Sequence, residues 1–138
     1  AADDPDGELV LRRARGILDE LPDDTDRGRA LLEMIGERFP SQARSVYEAF
    51  LATGGARRAE TMCRVLWYGD ELAIEILAPL LDDTRRLTGF NIPLRVCDRA
   101  AQAISHTSED ISFDSDGSKA QRDRQIESLK RYCEQHVH

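Results

Sequence analysis

Aromatic residues are scarce in this chain, at 6% of 138 residues, with one Trp, three Tyr and four Phe. Helix breakers are also few, at five Pro and nine Gly. Both shortages argue against a β-sandwich, a collagen-like chain or a fibrous one. No apolar run approaches the roughly 18–20 residues that cross a bilayer, so the sequence offers no membrane span. Cysteine is limited to Cys63, Cys97 and Cys133, evenly spread and without a C-x-x-C pair. That is not the framework of a disulfide-stapled secreted domain, and each Cys lies among apolar residues, as a buried thiol does. Lysine is nearly absent, because Lys119 and Lys130 are the only lysines among 19 basic residues. The excess of Arg suits planar, bidentate pairing, and a biased genome composition gives the same excess.

The formal net charge is −7, and it is unevenly placed. The first 26 residues hold nine acids against three arginines, whereas the remainder is close to neutral. This balance disfavours general nucleic-acid or anionic-membrane binding, which needs an excess of cations on one face. The chain opens on Ala1-Ala2-Asp3-Asp4 without a Met, which is expected after trimming or removal of a targeting segment. The compartment therefore stays open between cytoplasmic and exported. The length predicts a single domain over residues 1–138, with an acidic N-terminal segment 1–7 and an exposed acidic loop 107–118.

The apolar residues that remain recur with helical spacing, and no segment alternates with period two. Leu11, Ala14, Leu18 and Leu21 mark a first helix, with Pro5 at its first position. Leu31, Met34, Ile35 and Arg38 give the inward face of a second, stopped by Phe39-Pro40. A third, capped by Ser41, turns Ala43, Val46, Tyr47, Phe50 and Leu51 inward and closes at Gly54-Gly55. A fourth shows Ala59, Met62, Val65 and Leu66. Residues 70–81 are apolar nearly all round, which predicts a core helix packed on several sides, with Pro79 kinking or tightening its end. Pro93 is expected to open the sixth helix, which buries Leu94, Cys97, Ala101 and Ile104. Ser118-x-x-Gln121 is a capping-box pattern opening a seventh, with Ile126, Leu129 and Cys133 inward. The expected fold is all-α, with about seven helices in antiparallel hairpins, stacked as a short α-solenoid or a compact bundle.

Within residues 70–106, the L-L-x-D ending at Leu80, Leu81 and Asp83 is followed by a small-residue face of Val96, Ala100, Ala101, Ala103 and Ile104. This stretch resembles a HEAT-like repeat, in which an apolar first helix carrying a proline pairs with a second helix whose small residues admit close neighbours. The resemblance implies stacked hairpins and work as a scaffold or adaptor for other proteins.

Few residue patterns carry chemistry. Ser112, Asp114, Asp116, Gly117 and Asp123 fall at the spacing of a calcium loop. However, the first position is Ser and the last is the shorter Asp, and the Ser118 cap accounts for the same residues. The cysteines lack zinc-ligand spacing. His106, at the end of the sixth helix, is expected to meet free helix carbonyls and not to serve a Cys–His pair. No phosphate-binding Gly-rich loop, H-E-x-x-H or G-x-S-x-G is present. The sequence thus nominates no catalytic residue, no metal ligand and no cofactor. Two candidate recognition surfaces remain. One is Arg85, Arg86, Phe90, Arg95 and Arg99, an Arg cluster with an aromatic anchor around the loop 82–92. The alternative use for those arginines is pairing with Asp82, Asp83 and Asp98. The other is Trp67-Tyr68, expected in the core where hairpins meet, with a partner site as the second reading. The expected function is a non-catalytic protein–protein interaction module. The alternatives are an acidic inhibitor or immunity-type protein steered onto a basic partner, and a small enzyme with a non-contiguous carboxylate and arginine site.

Overall fold

The computed structural model describes residues 5–20, 25–69 and 71–136. Leu21 and the first four residues of the acidic segment 1–7 lie outside these described residues. Within them, seven α-helices run in order: α1 (Pro5–Glu20), α2 (Thr25–Arg38), α3 (Pro40–Ala52), α4 (Ala56–Val65), α5 (Glu71–Leu77), α6 (Val96–Ser105) and α7 (Lys119–His136). Pro79 converts the end of α5 into a 3-10 turn, Ala78–Asp82, because its ring removes a backbone donor and crowds the preceding turn. Among the described residues there is no strand, only an isolated antiparallel bridge between Arg86 and Arg95. The fold is all-α.

The helix contacts follow a simple rule. Each helix packs on the next but one: α1 on α3, α2 on α4, α3 on α5, α4 on α6 and α5 on α7. Sequential pairs α1–α2, α2–α3, α3–α4, α5–α6 and α6–α7 close the space between them. Odd-numbered helices therefore form one row and even-numbered helices a second, with the apolar core between the rows. Small side chains allow the rows to approach: Ala73, Ala100, Ala101 and Ala103 are fully buried. Pro40 opens α3 with Phe39 as N-cap, two residues before the expected cap at Ser41, and Gly54, at φ +89°, ends it in a conformation that side chains with a Cβ avoid.

Three expectations need correction. In α2 the deepest residues are Leu32 and Ile35, while Leu31 and Met34 are half-buried and Arg38 is exposed. The adjacent leucines left the helix phase one residue ambiguous. Pro93 does not open α6. It stays in the loop, and Arg95 is the N-cap, its backbone N–H donating to the Asp98 carboxylate at 2.9 Å. Finally, Ser41 does not cap α3 but lies inside it, behind the N-cap Phe39. Helix α5 is packed on several sides as expected, against α3, α6 and α7, and α4 is similarly enclosed. Residues 58–63 are all buried, including Arg58, Glu60 and Thr61, and α4 packs on α2, α3 and α6.

A tight approach joins α2 to α3. The Tyr47 hydroxyl donates to the Leu32 carbonyl at 3.0 Å, and a Cβ at Gly36 would lie 2.4 Å from that hydroxyl oxygen but 3.7 Å from the ring carbon bearing it. Gly36→Ala should therefore destabilise by about 1–2 kcal/mol through overpacking, despite the roughly 1 kcal/mol that Ala gains in a helix. In a Tyr47→Phe background the oxygen is gone, and the same substitution should become neutral or stabilising. Urea denaturation of the four proteins checks the reversal. A Gly36→Ala cost that persists in the Tyr47→Phe background would show that the hydroxyl is not the obstacle.

Candidate functional site

On α4, Arg57, Glu60 and Arg64 share a face by their three- and four-residue spacing. Neighbouring elements of the even row extend it. Helix α2 supplies Arg29 and Glu33, α6 supplies Arg99, and the turn after α4 supplies Trp67, Tyr68 and Gly69. The loop between the 3-10 turn and α6 forms the remaining wall. It folds back on itself through Leu87 N–H to Leu94 carbonyl at 2.9 Å, Val96 N–H to Arg85 carbonyl at 2.9 Å and Cys97 N–H to Asp83 carbonyl at 2.8 Å. Gly89 turns its tip with φ +88°, and Phe90 and Ile92 are left exposed there.

Two depressions lie on this face and share Arg64. One, of about 420 Å³, is bounded by Arg29, Glu33, Trp67, Tyr68 and Arg99. The other, of about 290 Å³, is bounded by Arg57, Glu60, Arg86 and the loop residues Leu87 to Phe90. Planar groups cluster beside them. The Arg99 guanidinium lies 4.5 Å from the Trp67 ring centre and 5.1 Å from that of Phe90. His106 joins the cluster, tilted against Trp67 at 4.9 Å and stacked on Tyr68 at 5.4 Å. His106 Nδ1 donates to the Trp67 carbonyl at 3.1 Å, so it meets a free carbonyl beyond a helix end, that of α4. Cation–π contacts of this kind contribute roughly 0.5–2 kcal/mol each, the more so when desolvated.

The polar groups of this face are incompletely matched. The Glu60 side chain is 10% exposed and approaches Arg64 at 3.6 Å and Arg99 at 3.7 Å. Its Oε2 is buried without a hydrogen-bond partner, and so is Arg99 Nε, although Arg99 also donates to Gln102 at 2.8 Å. Among the described residues only one further buried side-chain atom, Arg122 Nε, is in that state. Folded proteins satisfy nearly all such atoms, so two on one surface mark it. Arg29 is held by Glu33 at 3.0 Å, while Arg57 and Arg86 have no carboxylate partner among the described residues.

The structure divides the cluster expected from the sequence. Arg86, Phe90 and Arg99 lie on this face. Arg85 turns away to Asp83, with its closest contact at 2.6 Å. Burial works against the Asp83 carboxylate, but the Arg85 hydrogen bonds outweigh it and hold its pKa below the usual range. Arg95 pairs with Asp98 at 3.0 Å and Asp123 at 2.7 Å. Lys119 and Arg95 together hold the Asp123 carboxyl below the usual range. Asp82 pairs with Lys130, not with an arginine. Trp67 is half-buried, but Tyr68 is 86% exposed and is not a core residue. Sequence reasoning missed Arg57, Glu60 and Arg64, whose spacing was visible but equally describes a solvated helix face.

The remaining groups are accounted for locally. All three cysteines are buried and free, and desolvation pushes the thiol pKa values up, to about 11 for Cys133. Such thiols are poor nucleophiles. Ser118 and Gln121 form the expected capping box, each side chain accepting from the other's backbone N–H at 3.2 and 2.8 Å. Among the described residues no group of three or more His, Cys, Asp or Glu could hold a metal ion, and no helix is long and apolar enough to cross a membrane. In comparisons with known proteins, no family profile, curated protein or solved structure matches the chain.

Proposed function

We propose that this chain is a helical-repeat module of HEAT-like type that binds another protein, acting as a scaffold or adaptor without catalysis of its own. The even-row face receives the partner. The observation that carries this reading is the position of the exposed large apolar side chains. Of the four among the described residues, Tyr68 and Phe90 line the arginine-lined depressions, Ile92 follows in the same loop as Phe90, and Leu9 is on α1. Arg and aromatic residues around partly enclosed pockets are the composition of binding hot spots. The next-but-one packing of α1 to α7 supports the repeat reading, because it aligns consecutive even-numbered helices into one extended surface.

Affinity capture from the native host's lysate tests the proposal, run at low salt and at about 0.5 M salt, where screening shortens severalfold. The wild-type protein should retain a stoichiometric partner. Tyr68→Ala/Phe90→Ala should lose most of it, and Arg131→Ala on the exposed side of α7 should not. Equal capture by all three proteins would place the partner elsewhere, and no partner at either salt would contradict the module reading.

A further inference from the structure

We infer that the partner segment received by this face is an extended acidic peptide, whose carboxylates meet Arg57, Arg64 and Arg86. The inference rests on the docking reading above and adds the chemistry of the occupant. Charge complementarity points to it first. In a protein of net charge −7, the cavity of about 290 Å³ between α4 and the loop is lined by three arginines and one glutamate. Two of those arginines, Arg57 and Arg86, are exposed and lack a carboxylate partner among the described residues. Arg is the side chain best shaped to take carboxylates in a bidentate manner.

Spacing then selects a peptide over a single compact anion. Arg57 and Arg64 are seven residues apart on α4, about 10 Å along its axis. Side chains on one face of an extended peptide recur about every 7 Å, so its carboxylates can serve both arginines and Arg86 of the loop where they stand, whereas one phosphoryl group would have to draw all three to a single point. Glu60, between the two arginines, adds a negative charge that disfavours a dianion placed centrally. Its side chain is nine-tenths buried and its Oε2 is closed to solvent, so an occupant of the cavity meets the exposed arginines and not that oxygen. The Trp67–Arg99–Phe90 cluster beside the cavity gives an apolar surface for a neighbouring side chain of the peptide.

The test uses a fluorescein-labelled 12-residue peptide with Glu at alternate positions around one Phe, and the same peptide with Gln for every Glu. Fluorescence anisotropy at about 0.05 M salt should show the Glu peptide binding at least about tenfold more tightly than the Gln peptide, with the preference shrinking at 0.5 M salt. Arg57→Ala/Arg86→Ala should weaken the Glu peptide about tenfold. Both side chains are exposed, so the fold should be kept, as circular dichroism will verify. Arg124→Ala/Arg131→Ala, which removes the same charge from α7, should change affinity less than twofold. Equal binding of the Glu and Gln peptides, or equal losses in the two double variants, would overturn the inference. So would tighter binding of a single-phosphoserine peptide that depends on the same arginines. A partner captured through Tyr68 and Phe90, with no binding of the Glu peptide, would leave the docking face standing and refute the acidic occupant alone.

Discussion

Asp98→Ala is expected to destabilise the protein by about 3–5 kcal/mol, the typical cost of removing one partner from a buried ion pair. Asp98 is fully buried at the start of α6. Its carboxylate accepts from the Arg95 backbone at 2.9 Å and from the Arg95 guanidinium at 3.0 and 3.1 Å. It also accepts from Arg122 of α7 at 2.5 Å, and Arg122 in turn donates to the Pro93 carbonyl at 3.2 Å. One carboxylate thus caps α6, holds α7 and fixes the base of the loop that carries Phe90. Its loss strands the buried Arg122 guanidinium and leaves Arg95 with Asp123 alone. The melting temperature should fall by roughly 10–15 °C. In an Arg122→Ala background, Asp98→Ala should cost at least about 1 kcal/mol less, because the stranded charge is already gone. Equal costs in the two backgrounds would show that Asp98 acts as a helix cap alone.

Arg58→Ala should cost about 3 kcal/mol and loosen the other end of the molecule, as a buried charge-assisted donor does when it is lost. Arg58 is buried on α4. It donates to the Leu18 carbonyl of α1 at 3.0 Å, to the Phe50 carbonyl of α3 at 3.4 Å and to Thr53 Oγ1 at 3.0 Å, with its guanidinium 4.6 Å from the Phe50 ring centre. The carbonyls near a helix C-terminus carry partial negative charge and lack intrahelical donors. A single guanidinium therefore joins the ends of α1 and α3 to α4, with charge-assisted bonds of roughly 1.5–3 kcal/mol each before their coupling is counted. Arg58→Lys should recover only part of the loss, since one ammonium cannot reach three acceptors in the fork geometry. Gly54→Ala should mimic it, because a Cβ there would fall 2.3 Å from Arg58 Cδ at a positive φ. Hydrogen exchange should show α1 released first while α5 to α7 stay protected. Uniform loss of protection across the chain would contradict this local role.

These two anchors show where sequence reading stops. The helices were legible wherever apolar spacing met a clear punctuation mark, as at Pro40, Gly54-Gly55 and the Ser118-x-x-Gln121 box. The core of α7, at Ile126, Leu129 and Cys133, was legible from spacing alone. The burial of Arg58, Glu60 and Thr61 on α4 was not legible, because only tertiary structure brings up the carbonyls and guanidiniums that face them. Pro93 misled for a related reason. A proline favours a helix start, but Arg95 and Asp98 form a capping pair whose N-terminal member is not a usual N-cap residue. Of the candidate site, Arg86, Phe90 and Arg99 could be picked out by composition, and Trp67 and Tyr68 as a separate feature. That the two features are one surface depends on Arg99 meeting both Trp67 and Phe90, a contact between residues distant in the chain. The diversion of Arg85 and Arg95 to Asp83, Asp98 and Asp123 depends on geometry in the same way.

The central claim, that partners dock on the even-row face, is tested most directly by site-specific photo-crosslinking. A photoreactive amino acid is placed at position 68 in one protein and at position 9 in another, and each is irradiated in the native host's lysate. Both positions hold exposed apolar side chains, Tyr68 beside the arginine-lined depressions and Leu9 on α1. One dominant crosslinked protein is expected from position 68 and none of it from position 9. The same adduct from position 9 and not from position 68 would refute docking on the even-row face and move the binding surface to α1.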